Sequence, residues 1–219
     1  SRTNQARPFA FKQTVDPREY SHLLRNLSAQ DVITYKSVAQ RGVGEFKDWL
    51  SETKNDYDLQ NVVLVGSPSS IGDIKLSLPD AYKALAEQSD DFFLGGVMIA
   101  ERHSSKRNEH ERLIEKTAQG CQFFISQAVY DAQATIELIT SYARTCKAQG
   151  ITPQRIILTF TPCGGEKTLE FMQWLGISVP LGLNIESLTN RKEEIDASIN
   201  LYRLLKAIME LNLAEKLIA

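Results

Sequence analysis

The sequence predicts an α/β protein in which a parallel sheet is flanked by helices. Three observations predict it. Short β-rich runs alternate with helical patterns along the 219 residues. Two of those runs, Val62-Val63-Leu64-Val65 and Ile156-Ile157-Leu158, are continuously apolar, as strands buried on both faces are. The composition, 42% hydrophobic and 24% charged, is that of an ordinary globular chain able to bury a sizeable core.

The elements follow in order. Residues 9–13 read as a weak first strand, with a helix over 17–27 after it. Residues 31–37, carrying Val32, Ile33 and Tyr35, read as a second strand that leads through Gly42 and Gly44 into a helix over 46–53. The run at 61–66 is the third strand, and Pro79 in the first turn after Leu78 opens a helix that continues through 87. Strands at 91–100 and 122–130 frame a polar stretch. Residues 132–149 place Ile136, Leu138, Ile139 and Tyr142 at helical spacing, and Gly150 ends that helix. A buried-type strand at 155–161 precedes a helix at 166–175 and a loop at Val179-Pro180. Over 191–212, Ile195, Ile199, Tyr202, Leu205 and Met209 step by three and four, the buried face of a long amphipathic helix.

An open doubly wound sheet and a closed barrel share this alternation. No Gly-x-Gly-x-x-Gly follows any strand, Gly42-Val43-Gly44 lacks the third glycine, and there is no P-loop. The reading is therefore a (βα)8 TIM barrel. Six strands are convincing and a seventh falls at 180–185, so the barrel is short by one or two βα units. No composition shift marks a linker, and residues 1–219 are read as a single TIM-barrel-like domain.

The formal net charge of −2 supplies no basic field for nucleic acid or an anionic membrane. Cys121, Cys146 and Cys163 are far apart and odd in number, which argues against a disulfide framework or a zinc site and for a reducing compartment. Cys163, before Gly164-Gly165, is either a reactive thiol or a small loop residue. With no apolar run near about 18 residues and no signal peptide at Ser1, the expectation is a cytoplasmic protein without a membrane span.

The chemistry concentrates in residues 101–131, where a strand ends in a polar cluster, a charged helix runs to Gly120, and the next strand ends in Ser126-Gln127. In a parallel barrel neighbouring strand ends open into one mouth, which is where such folds keep their active sites. A helix over 107–119 sets Glu109 and Lys116 seven apart on one face. That face is either a solvated surface laced by charge pairs or, with Arg107 and Ser104-Ser105, a site for a phosphate-bearing cofactor. Gln127 offers a donor and an acceptor, which suits the polar edge of a flavin or pterin and equally suits a satisfied interior amide. His103 and His110 lack a third ligand, so no metal is expected. No Ser-His-Asp arrangement can be located. Lys12 and Lys36, near early strand ends, are the candidates if the chain is instead a Schiff-base aldolase; a pterin-binding synthase is the other unrelated barrel to consider.

Residues 62–180 resemble methylenetetrahydrofolate reductase, a flavoprotein barrel of one-carbon metabolism. The resemblance rests on Leu64-Val65-Gly66-Ser67, on His103, Glu109 and Lys116, on Ala118-Gln119-Gly120-Cys121, and on Ser126-Gln127-Ala128-Val129-Tyr130-Asp131. Phe171 and Leu175-Gly176-Ile177-Ser178-Val179-Pro180 extend it. It implies an FAD-dependent oxidoreductase that passes hydride from NAD(P)H through the flavin to a methylene-folate. It also implies that Gly66, Ser67, His103, Glu109 and Lys116 hold the FAD, while Gln127, Tyr130 and Phe171 face the folate or nicotinamide. Family members associate, so a homo-oligomer or a subunit of a complex is expected. The chain departs from the pattern at Ala10, where the family has its catalytic glutamate, at Val65-Gly66-Ser67, where it has Arg-Gly-Asp, and at Lys167, where it has a glutamine. Those departures motivate a second expectation: a diverged barrel that binds flavin or folate as an accessory or regulatory subunit without reductase activity.

Overall fold

The computed structural model describes residues 14–66, 74–88, 91–161, 163 and 165–178. Within them the order is α1 (Pro17–Ser28), β1 (Thr34–Ser37), α2 (Val43–Asn55), β2 (Asn61–Val65), α3 (Leu78–Gln88) and β3 (Phe93–Met98), then α4 (Ala100–Lys106) and α5 (Glu109–Ala118). β4 (Phe123–Ala128), α6 (Ala132–Gln149), β5 (Arg155–Thr159) and α7 (Glu166–Trp174) complete it. The strand expected at 9–13 with Ala10 and Lys12, the residue Ser67, the loop at 179–180, the strand at 180–185 and the helix at 191–212 lie outside the described residues.

The five strands are all parallel and lie side by side in chain order, β1-β2-β3-β4-β5. Crossovers between parallel strands are right-handed, so an order that never reverses sends every connecting helix to the same face. A doubly wound sheet, whose order does reverse, carries helices on both. The cores obey this rule. Val62, Leu64, Leu94, Met98 and Phe124 form one core with residues from α2 through α6, among them Trp49, Tyr82, Leu113 and Leu138. Val63, Phe123 and Ile125 cluster on the other face with Ile33, Val65 and Val97. The described sheet is thus singly wound, the arrangement from which barrels are built.

Gly95 and Gly96 let β3 sit between these two layers. A Cβ on Gly95 would lie 2.4 Å from the Phe123 ring, which lies across it and stacks on Phe93. A Cβ on Gly96 would press on Phe124 and on the Lys116 stem at 3.2–3.3 Å from the opposite side. Only glycine accommodates both approaches in succession.

The polar stretch after β3 differs from the sequence reading. The polar cluster after the strand, residues 100–106, is a helix of its own, and the charged helix begins at Glu109, not at 107. Arg107, at φ 54°, makes the left-handed break between them. The strand at 31–37 also begins later, at Thr34. Cys163 is fully buried, which removes the reactive-thiol alternative, and Cys121 and Cys146 are buried thiols as well. None of the described helices is long and apolar enough to cross a membrane.

The helix pair is fastened to the end of β3 by α5. The fully buried Glu109 carboxylate accepts the Ile99 N–H (3.2 Å) and pairs with Arg102 (2.8 Å) and Arg112 (3.6 Å). Seven residues on, the Lys116 ammonium donates to the Val97 carbonyl at 2.5 Å. Breaking a compensated buried pair leaves an unpaired charge, so Glu109→Ala is expected to destabilise the protein by about 3–5 kcal/mol in urea titration. Adding Arg102→Met should recover part of that loss. A Glu109→Ala variant as stable as the wild type would contradict the anchoring role.

Candidate functional site

The C-terminal ends of β3, β4 and β5 converge beneath the turn that follows α7. Gln127, one residue before the end of β4, donates through Nε2 to the Leu175 carbonyl at 3.3 Å. Its Oε1 is buried and accepts no hydrogen bond. Three residues further along the same turn, the Ser178 N–H donates to Glu101 Oε1 at 3.2 Å. Glu101 stands in the first turn of α4, just past the end of β3. Two strand ends therefore hold one turn by two side chains, and Gln127 keeps an unused acceptor.

This geometry follows from local sequence. Ser126 Oγ accepts the Thr159 N–H at 2.8 Å where the β4–β5 register shifts between Ile125 and Ala128, so the end of β4 departs from regular pairing. Asp131 caps α6 by accepting the Ala134 N–H at 2.9 Å, which stops β4 and turns the chain outward. Tyr130 reaches the end of β5 through its hydroxyl, which donates to the Thr161 carbonyl at 2.5 Å. Cys163, Met172 and Ile177 pack with Ala128, Tyr130 and Leu175 and seat α7 against this end of the sheet. Phe171 stacks on Trp174 on that helix, ring centroids 5.8 Å apart.

The electrostatics single out Glu101. Burial is the main cause that raises its pKa, opposed by hydrogen bonds from its own and the Ser178 backbone amides, and the neighbouring Asp131 carboxylate adds to the rise. No described cation pairs with it. Glu109 is the contrast, more deeply buried but matched by two arginines.

The residues singled out in the sequence divide into two groups. Gln127 and Tyr130 lie at the strand ends, Phe171 lies on α7 above them, and Gly66 directly follows β2 in the same sheet. Glu109 and Lys116 lie at the end of β3 on the helix-covered side, where the Lys116 stem passes over Gly96 beside Phe124. Burial lowers the Lys116 pKa, with Glu109 opposing and Arg102 reinforcing the shift. His103 is 4% exposed on α4, packed edge-on against His110 with centroids 5.2 Å apart. Burial, His110 and Arg107 lower its pKa, with Glu137 and Glu109 opposing. Among the described residues Lys116 and Gln127 share no partner. Lys36, the Schiff-base candidate, stands 4.7 Å over the Trp49 ring, and burial together with Arg41 and Arg18 lowers its pKa to about 8. Among the described residues no cluster of His, Cys, Asp or Glu could hold a metal ion.

Glu101 is the residue that sequence reasoning passed over. An acid in the first turn of a helix is common because it complements the helix dipole, and that explanation needs no ligand. The signal available was position, one residue into the helix that follows a strand of the parallel sheet.

No protein-family model and no curated protein matches the chain. Among solved structures, an uncharacterized protein from Clostridium thermocellum that binds two copies of 5-methyl-5,6,7,8-tetrahydrofolic acid is 36% identical, with a TM-score of 0.77 over 93% of this chain and 69% of that one. Oxaloacetate acetylhydrolase, in complex with its product oxalate, is similar at 14% identity and a TM-score of 0.46 over 84% of this chain and 76% of that one, too remote to argue from.

The unpaired Glu101 gives the site a signature in stability. Because burial raises its pKa in the folded protein, the folded state holds the extra proton between the ordinary carboxylate value and the raised one. Stability contributed by this group therefore falls as pH rises through that window. Glu101→Gln removes the fall, and the variant should be the more stable protein at pH 7 while matching the wild type near pH 4. Urea midpoints at the two pH values decide it; a variant less stable at pH 7 would mean that the carboxylate is compensated.

Proposed function

The chain belongs to the same family as the clostridial folate-binding protein, and on that premise we propose that it binds a reduced folate, 5-methyltetrahydrofolate or a close analogue, at the ends of β3, β4 and β5. The observation that carries this reading is the buried, unpartnered Oε1 of Gln127. Buried acceptors almost always find a donor, and an exception at a strand end calls for one from a ligand. A pterin ring supplies N–H donors along one edge and a flat apolar face. The Tyr130 ring packs with Ala128, Met172 and Ile177 at that end of the sheet, and α7 carries the stacked pair Phe171–Trp174.

The reductase reading asks more of the chain. FAD would supply hydride transfer from NAD(P)H to a methylene-folate, held by Gly66, Ser67, His103, Glu109 and Lys116. In the described structure the Lys116 ammonium lies between α5 and β3 on the Val97 carbonyl, and Glu109 is matched by Arg102 and Arg112. Neither turns a free charge toward a diphosphate or a ribose. The geometry thus favours folate binding without the redox step, the role of an accessory or regulatory subunit.

Calorimetric titration with (6S)-5-methyltetrahydrofolate tests the proposal. Wild-type protein should bind it, and Gln127→Leu should weaken binding by about 1 kcal/mol, roughly fivefold. Protein that is colourless as isolated and still binds the folate meets the proposal. Yellow protein that oxidises NAD(P)H would restore the FAD-dependent reductase, and absence of folate binding would end both readings.

A further inference from the structure

α1 is an amphipathic helix turned inside out. Arg18, Ser21, His22 and Arg25, at i, i+3, i+4 and i+7, form the face it turns to the protein. Arg18 pairs with Asp16 (2.8 Å) and Glu52 (2.6 Å) and lies over the Trp49 and Tyr57 rings. His22 Nδ1 is 2.9 Å from the Tyr57 carbonyl, and Arg25 pairs with Asp58 at 2.7 Å. Apart from Asp16, these partners belong to α2 or to the turn after it. The same spacing on the opposite face carries Tyr20, Leu23, Leu24 and Leu27. These are exposed, Leu27 by 76% against 9% for Arg18. A surface helix ordinarily turns its apolar stripe to the core and its charges to water. Four large apolar side chains in one contiguous row on a surface mark a contact.

The fold says where that contact lies. The described sheet is singly wound, so its helices stand in one row, and in a barrel such a row closes into a ring. α1 is the first described helix of the row. Its polar face meets α2 on one side, and its apolar stripe looks to the other side, the place of the helix that closes the ring. The last helical pattern in the sequence is 191–212, outside the described residues. Besides Ile195, Ile199, Tyr202, Leu205 and Met209 it carries Leu201, Leu204 and Ile208, an apolar arc wide enough for a sheet and a neighbouring helix together. Residues 179–190 before it can span about 40 Å when extended, more than the diameter of a small domain, about 30 Å. We propose that the Tyr20-Leu23-Leu24-Leu27 face of α1 is the docking surface for the chain's own segment 191–212. A second copy is the weaker occupant. One row of four side chains on a helix about 18 Å long falls short of the roughly 800 Å² per partner that a stable dimer buries. A segment of the same chain loses far less translational freedom on docking and needs less area.

The test is thiol labelling of the full chain with a maleimide. Cys121, Cys146 and Cys163 are buried, so in folded protein an introduced surface cysteine reacts first and the native three report unfolding. Leu27→Cys should be labelled at least about tenfold more slowly than Ser28→Cys, the exposed neighbouring position. Adding Tyr202→Glu and Leu205→Glu should raise the Leu27→Cys rate by about the same factor. Where the native thiols react as well in that variant, the reciprocal pair decides: Leu23→Glu should free Leu205→Cys to the same extent. Leu27→Cys labelled as fast as Ser28→Cys would mean an open face and overturn the proposal. Protection lost on dilution would assign the face to a second copy, and protection that survives the changes at 202 and 205 would assign it to another occupant; either result overturns the proposal too.

Discussion

The free end of β3 is the constraint on which the rest of the structure depends. Among the described residues β3 pairs with β2 only as far as Gly95 and with β4 as far as Met98, yet Val97 O and Ile99 N are partly buried, where unpaired backbone groups are costly. The chain answers from one helix. Glu109 opens α5 and takes the N–H, while Lys116, two turns on, takes the carbonyl. Since both come from the same helical face, α5 can satisfy them only in one position along the strand. That position fixes α4, joined to α5 through the left-handed Arg107, and α4 in turn fixes Glu101 beside the end of β4.

Two carboxylates within nine residues thus have opposite physical characters. Glu109 is fully buried and compensated by two guanidinium groups and a backbone amide, the condition under which a charge strengthens the fold. Glu101 is less buried, is met by backbone amides and no ion pair among the described residues, and has the Asp131 carboxylate nearby. Compensation, more than depth of burial, sets the two apart. The same test separates Lys116 from Gln127. Lys116 has a carbonyl for its ammonium and an anion nearby, whereas Gln127 keeps one fully buried oxygen without a donor.

Much of the architecture was legible because it is written in apolar periodicity. β2 and β5 announce themselves as continuous aliphatic runs, but only β2 is buried as such a run predicts; β5 is the last strand of the described sheet and Ile157 is 38% exposed. α6 is bounded as its spacing and Gly150 dictate. α4 was not legible: residues 100–106 have no apolar stripe of their own, and the break after them uses an arginine at positive φ where glycine or asparagine is the usual mark. The spacing of Glu109 and Lys116 correctly places them on one face, but a helical period cannot say whether that face looks toward the mouth or onto the sheet. Gly96 decides it, because the missing Cβ admits the Lys116 stem on the helix-covered side. Gln127 was found at a strand end because a lone amide closing an apolar run stands out, whereas Glu101 was hidden among the charges that begin any helix.

The most direct test is a crystal structure of the protein with 5-methyltetrahydrofolate bound. The account predicts the pterin at the ends of β3–β5, with a donor of its polar edge within hydrogen-bonding distance of Gln127 Oε1 and with Lys116 still on the Val97 carbonyl. A pterin seated elsewhere, or Lys116 released from β3 to meet the ligand, would contradict it.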